Sequence, residues 1–276
     1  MYNIYTGMLK MLNEFPATGP VMISYGLYDD YTDLLAKYPV LSVAGTGSSF
    51  QKITNLLEWI STHVYHKGDY DNQIAMDAVS LLDYSFDNDA EHGINCGLLS
   101  MVLTEILLSI GIKARAVFLL PCSPYDGDNH VVCEAWDDDR KKWILLDPTY
   151  GSYFIDRNGA PLSVCEMREG LENREDLSLS PGSNYNGDAL DKHEILEYFA
   201  KNLFYFFVNQ RQGRNTGESP LIVIAPKGFD AKRRMITNID YRMEMTGDSE
   251  RMQNWKKETA AKEYISSGLG TLKAGG

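Results

Sequence analysis

The chain is short of basic residues, of cysteine and of long apolar runs. Lysine and arginine together number 26 against 38 acidic residues, a formal net charge of −12. A chain so balanced is repelled by phosphate backbones and by anionic lipid, which argues against nucleic acid and membrane surfaces as partners. No segment holds the ~18 uninterrupted apolar residues that a membrane span needs. The nearest run, 98–112, is broken by Ser100, Thr104, Glu105 and Ser109. The opening residues, MYNIYTGMLKMLNEFPATG, lack a basic stretch followed by an apolar one, so no secretory signal is expected and the expected compartment is the cytoplasm.

The four cysteines are Cys96, Cys122, Cys133 and Cys165. None are spaced Cys-x-x-Cys, which argues against a zinc site, and no metal or cofactor is expected. A Cys122–Cys133 bridge is conceivable on spacing, but a reducing compartment disfavours it. There is no internal repeat and no low-complexity tract.

What is present is 276 residues, 44% hydrophobic and 23% charged, enough for one large domain or two small ones with a sizeable core. Residues 1–47, with turn signals at Pro16, Gly19-Pro20, Pro39 and Gly45-x-Gly47, read as short irregular pieces packed on the main domain. Ser48–His66 reads as a helix: Ser48 and Gln51 fit a capping box, and Ile53, Leu56, Leu57, Ile60 and Val64 make one apolar stripe. Residues 74–82 read as a second, short helix. Cys96–Ile110 is apolar on most sides, as a buried central helix is, with Gly111 placed for a left-handed C-cap. Three strands follow: KARAVFLLP, HVVCEAW and WILLDP, the last two joined through DDDRK. DRNG at 156–159 reads as a hairpin turn. Residues 172–190 read as a linker or mobile loop, 195–208 as an aromatic helix, PLIVIAP and RMITNIDYRMEM as strands, and 248–267 as a final helix before a fraying glycine-rich tail. The expected divisions are 1–47, 48–171 as the core, and 172–276 as a C-terminal extension.

Cys96 heads the buried helix, His130 opens one strand, and Asp147 ends the next. If Asp138-Asp139 form a two-residue turn, Trp136 faces Lys141, Glu134 faces Trp143 and His130 faces Asp147. Facing residues have Cβ atoms roughly 4.5–5.5 Å apart, close enough for a carboxylate to hold an imidazole. A slip of one residue would separate the two onto opposite faces. At a helix N-terminus, beside an imidazolium, a thiol falls from about 8.5 to roughly 3.5–7.5. The imidazole can move protons, the carboxylate can fix its tautomer, and the helix-head N–H groups can hold an oxyanion.

The order Cys…His…Asp, the phrases GIKAR and DPTYG, and the helix-then-strands pattern resemble the transglutaminase-like superfamily over about residues 48–155. The resemblance implies an α+β fold: a papain-like core with a buried cysteine helix packed on an antiparallel sheet. It implies Cys96 as nucleophile, His130 as general base and acid, and Asp147 as its orienter. The chain is too short for the extra domains of the calcium-dependent animal enzymes, and the region after Gly151 looks like the extensions of bacterial members. Gly97 stands where many members carry an aromatic or polar residue, and His130 is followed by Val-Val-Cys-Glu-Ala-Trp where many read His-Ala-Trp. These depart from the pattern without touching the three residues.

Taken singly, each residue has a plain structural meaning. Cys96 could be a small core hydrophobe, His130 a strand-edge residue and Asp147 a turn starter. His63 and His66 are expected at the surface beside a helix end, His193 in solvent, and His92 either in a loop or lining the cleft. A second oxyanion donor could be Trp59, Tyr84, His92 or Asn95. Trp136 and Trp143 are expected as packing, Asp137-Asp138-Asp139 as a solvated turn too short for calcium, and Asp126-Gly127-Asp128 as a turn or a loop over the cleft. The expected activity is thiol-dependent acyl chemistry on a peptide or protein amide, with hydrolysis favoured. Transfer to an amine, acyl transfer like that of arylamine N-acetyltransferases, and a catalytically silent peptide-binding module are the alternatives. An acidic chain with no evident basic cluster is a poor host for coenzyme A.

Overall fold

The computed structural model describes residues 1–69, 74–214, 216, 219–247 and 249–275. In chain order the elements are α1 (Tyr2–Met11), β1 (Ser24–Tyr25), α2 (Thr32–Lys37), α3 (Val40–Ala44), α4 (Ser49–His63), α5 (Ala78–Ser85) and α6 (Cys96–Ser109). Next come β2 (Ala114–Leu120), β3 (His130–Asp137), β4 (Lys142–Asp147), β5 (Ser152–Ile155), α7 (Val164–Asn173), β6 (Ser178–Leu179), β7 (Asn184–Tyr185) and β8 (Asp188–Ala189). The chain closes with α8 (Lys192–Asn202), β9 (Tyr205–Asn209), β10 (Arg211–Gln212), β11 (Leu221–Ile224), α9 (Ala231–Thr246), α10 (Glu250–Ala261), β12 (Tyr264–Ser267) and α11 (Gly270–Lys273).

The fold is α+β, with the cysteine helix packed on the sheet as expected. Eight strands form one sheet in the order β12-β11-β9-β2-β3-β4-β5-β6. Neighbours are antiparallel except β11 and β12. The centre of the sheet is covered on both faces, which is why HVVCEAW lacks a polar stripe. Cys133, Ala135, Ile144 and Leu146 pack with α4, α5 and α6 on one side. Val132 and Leu145 pack with α7 and α8 on the other. In so apolar a helix as α6 the few polar side chains find partners close by: Ser100 Oγ donates to the Val131 carbonyl at 2.9 Å, and Thr104 Oγ1 to that of Ser100 at 2.7 Å.

The β3–β4 hairpin differs from expectation by two residues. The turn holds four residues, 138–141, with Lys141 in the left-handed region (φ 53°), and Trp136 faces Trp143 rather than Lys141. A shift of two keeps every side chain on its face, so His130 and Asp147 still share one side, now on a diagonal. The acidic run builds this turn. Asp137 is fully buried and binds Arg140 at 2.8 Å, and an Asp139 carboxylate oxygen accepts the Ser49 N–H at the head of α4 at 2.9 Å.

Elsewhere the structure corrects the reading of the chain. Residues 2–11 form a regular helix, α1, anchored through Arg168, which donates to the Leu9 and Leu12 carbonyls. The stretch 172–190 carries the end of α7, the edge strand β6 and the β7–β8 hairpin, turned at Asn186-Gly187 with both φ angles positive. Residues 205–209, YFFVN, form strand β9, because α8 stops at Asn202. RMITNIDYRMEM is helix, capped by Asp230, whose carboxylate accepts the Arg233 N–H. Of the expected last helix, position 248 lies outside the described residues, 250–261 is helical, and 264–267 is strand. The tail is tied down: Thr271 and Leu272 are buried, and Trp143 Nε1 donates to the Ala274 carbonyl at 2.8 Å. Cys122 and Cys133 are free thiols rather than a bridge. Among the described residues no helix is long and apolar enough to cross a membrane.

Candidate active site

Asn95 is the N-cap of α6, and its side-chain oxygen accepts the Leu98 N–H at 3.0 Å. Its carbonyl takes the Leu99 N–H, so neither the Cys96 nor the Gly97 N–H is engaged by the cap. Cys96 is the first helical residue and keeps partial exposure. Across from it, His130 Nε2 and Asp147 Oδ2 are 2.7 Å apart, with side-chain exposures of 3% and 0%. The other carboxylate oxygen of Asp147 accepts the Thr149 N–H at 2.9 Å, which fixes its orientation. With Nε2 committed to Asp147, Nδ1 is the ring nitrogen left to meet the sulfur. Tyr198 and Phe199 from α8 pack edge-on against the imidazole, and Tyr150 lies 5.8 Å away. The structure therefore brings together all three residues singled out from the sequence.

A fourth residue joins them that the sequence reading placed at the surface. The helix α4 ends at His63 rather than His66, because Val64 turns extended (φ −122°, ψ 117°) and bridges Phe86. His66 then lies in a parallel bridge with Ile94, two residues before Cys96. Its Nδ1 lies 3.0 Å from the Tyr185 hydroxyl. Its main chain is held on both sides by Asn186, which accepts the His66 N–H at 2.8 Å and donates to its carbonyl at 3.0 Å. Its Nε2 is buried, and among the described residues the Cys96 sulfur that the ring faces is what it has to meet. No local signal marks His66. Its partner Asn186 is 120 residues away in sequence, in the stretch that reads as linker.

The other candidates lie elsewhere. Trp59 packs among Tyr38, His63 and Phe86; His92 binds Asp89 at 2.7 Å and lies against Tyr84. His63 stacks on Phe86, and His193 lies beside Tyr2. Trp143 is buried, with the Arg115 guanidinium 3.8 Å above its ring. The 126–128 segment is held by Lys201 and Tyr198 of α8.

The electrostatics separate Cys96 from the other thiols. Burial alone pushes a thiol up, and Cys133 and Cys165 rise to about 12 for that reason. Burial acts on Cys96 in the same direction. Hydrogen bonds and charge from His130 and then His66 outweigh it and bring the thiol down to about 6. For His130, burial disfavours the charged ring, but Asp147 first and Cys96 next reverse that and raise it to about 10. Both shifts act in the same direction, toward a thiolate beside an imidazolium. Among the described residues no group of three or more His, Cys, Asp or Glu is placed to hold a metal ion.

Residues 40–148 match the family model of the transglutaminase-like superfamily, a span that contains His66, Cys96, His130 and Asp147 and is under half of the chain. No curated protein matches. A solved structure of a proposed cysteine protease from Cytophaga hutchinsonii is 15% identical with a TM-score of 0.34, over 59% of this chain and 55% of that one. This chain thus aligns with little more than half the length of that protein.

Proposed function

Starting from a chain that carries a transglutaminase-like segment, we propose that it is a thiol hydrolase acting on peptide or protein amides, with Cys96 as nucleophile. The observation that carries this reading is the contrast among the four cysteines: Cys96 alone sits at a helix head between two imidazoles, one of them gripped by a buried carboxylate.

In the proposed reaction the Cys96 thiolate attacks the amide carbon. The oxyanion meets the free N–H groups at the head of α6, with His66 Nε2 as a side-chain donor when it carries the proton. The His130 imidazolium then gives its proton to the leaving amine, the C–N bond breaks, and a thioester remains on Cys96. Neutral His130 next takes a proton from water, whose oxygen attacks the thioester, and the acid leaves as the Cys96 thiolate reforms beside the His130 imidazolium. Asp147 keeps the ring oriented through both steps. Partial exposure of Cys96 lets water reach the acyl-enzyme, which favours hydrolysis over transfer.

The reading is tested by incubating the protein with casein and a dansylated amine, and following free amine release against dansyl incorporation. Release in the parent, lost in Cys96→Ala and reduced on the order of 10⁴-fold in Asp147→Asn, is the expected result. Dansyl incorporation in preference to release would make the protein a transferase. Release unchanged in Cys96→Ala would remove the thiol from the reaction.

A further inference from the structure

A cavity lies away from Cys96, and none of the four active-site residues lines it. Its volume is about 570 Å³, within the roughly 300–1,000 Å³ typical of small-molecule sites. Its floor is apolar. Phe118, Phe207, Leu221 and Tyr264 come from four neighbouring strands of the sheet, β2, β9, β11 and β12; Phe118, Leu221 and Tyr264 are half-buried and Phe207 is buried. Helices α9 and α10 roof this part of the sheet without filling the space, although protein interiors are normally close-packed. Trp255 of α10 stands at the rim, 37% exposed.

The roof also supplies two guanidinium groups. Arg234 is 7% exposed and donates to the Ser123 carbonyl; Arg242 donates to the Gly127 carbonyl and lies over the Trp255 ring. The Nε of each is buried and has no hydrogen-bond partner among the described residues. Among the described residues neither guanidinium has a carboxylate in ion-pair contact. The nearby Asp126 and Asp128 share Lys201, so two carboxylates stand against three cations, Lys201, Arg234 and Arg242. The remaining charges on the wall, Glu258 and Lys262, offset one another. The group is thus one counter-ion short around the buried Arg234, and buried charges are normally paired. Arginine forks suit carboxylates.

We propose that this cavity binds an amphipathic carboxylate: an acyl or aryl body on the Phe118–Phe207 floor, and an anionic head between Arg234 and Arg242. The wall that these arginines grip, residues 123–127, leads directly into His130, so an occupant would sit one loop away from the active site.

The test uses decanoate as the probe and decanol as its uncharged counterpart, with binding read by calorimetric titration of the whole protein. Decanoate is expected to bind and to raise the melting temperature, and decanol to bind more weakly. Arg242→Gln, at a half-buried position, is expected to weaken decanoate by about tenfold or more and to leave decanol unchanged. Leu221→Trp, which fills the floor, is expected to abolish binding of both. Equal binding of the two probes, no binding of decanoate at millimolar concentration, or decanoate binding that survives Leu221→Trp would each overturn the proposal. None of these readouts involves the thiol, so the result stands apart from the proposed amide chemistry.

Discussion

Replacing Glu134 by glutamine should cost the fold more than any change at the active site. Glu134 and Arg115 are 0% and 1% exposed at their side chains, with two contacts of 2.9 and 2.6 Å from the guanidinium to one carboxylate oxygen. The other oxygen accepts the Val164 N–H at the start of α7 at 2.8 Å. The guanidinium also donates to the Leu272 carbonyl at 2.6 Å and lies over Trp143. One carboxylate thus joins two central strands, a helix head and the C-terminal turn. Removing it leaves a guanidinium buried without a counter-ion, a loss of about 3–5 kcal/mol. At roughly 2–4 °C per kcal/mol for a chain of this size, Glu134→Gln should melt about 6–20 °C below the parent by calorimetry. The double variant Arg115→Met with Glu134→Leu should recover most of that loss, because it removes both charges together. A fall of less than about 2 °C in the single variant would refute this view of the GIKAR arginine as a buried clamp.

Two further outcomes follow. His66→Ala should lower kcat/KM by about 10²–10³-fold, the loss typical of one oxyanion donor, while Tyr185→Phe should cost less because the ring stays; a change within about twofold in His66→Ala would remove His66 from the reaction. Glu105 is buried in α6 and raised to about 7, by burial first, while the Ala78 N–H and Arg214 act to lower it. Its folded value lies above its unfolded one, so the stability it gives is complete below about pH 4 and is lost as pH rises through 7. Urea unfolding at pH 5 and 8 should show the parent losing on the order of 3 kcal/mol more than Glu105→Gln over that range, and equal slopes would contradict the assignment.

The parts of the fold that were legible from sequence are those whose signals are local. Cys96–Ser109 is apolar all round, Asn95 and Gly111 bracket it, and the β-rich strands after it are bounded by proline and acidic turns. The turn length was not legible, because Asp138-Asp139 and the four-residue loop suit the same residues. The shift of two residues was harmless to the His130–Asp147 pairing for a purely geometric reason, the two-residue period of a strand. RMITNIDYRMEM misleads because residues 239–245 alternate apolar and polar by accident, while Met245 is 68% exposed. The informative signals were Asp230 before it and Gly247 after it (φ 93°). The tail reads as loose because its anchor, Arg115, is more than 150 residues away. His66 was missed for the same kind of reason: its position depends on Ile94 and Asn186, which no periodicity connects.

The measurement that bears most directly on the thiol at the head of α6 is the rate of Cys96 alkylation by iodoacetamide against pH, read peptide by peptide by mass spectrometry in the parent and in His130→Ala. The parent should react fully by about pH 7, with a midpoint near 6, while Cys133 and Cys165 stay inert. In His130→Ala the midpoint should move up to or beyond the ordinary value of about 8.5. An ordinary thiol midpoint for Cys96 in the parent, or the same midpoint in both proteins, would contradict the assignment of Cys96 as an activated nucleophile.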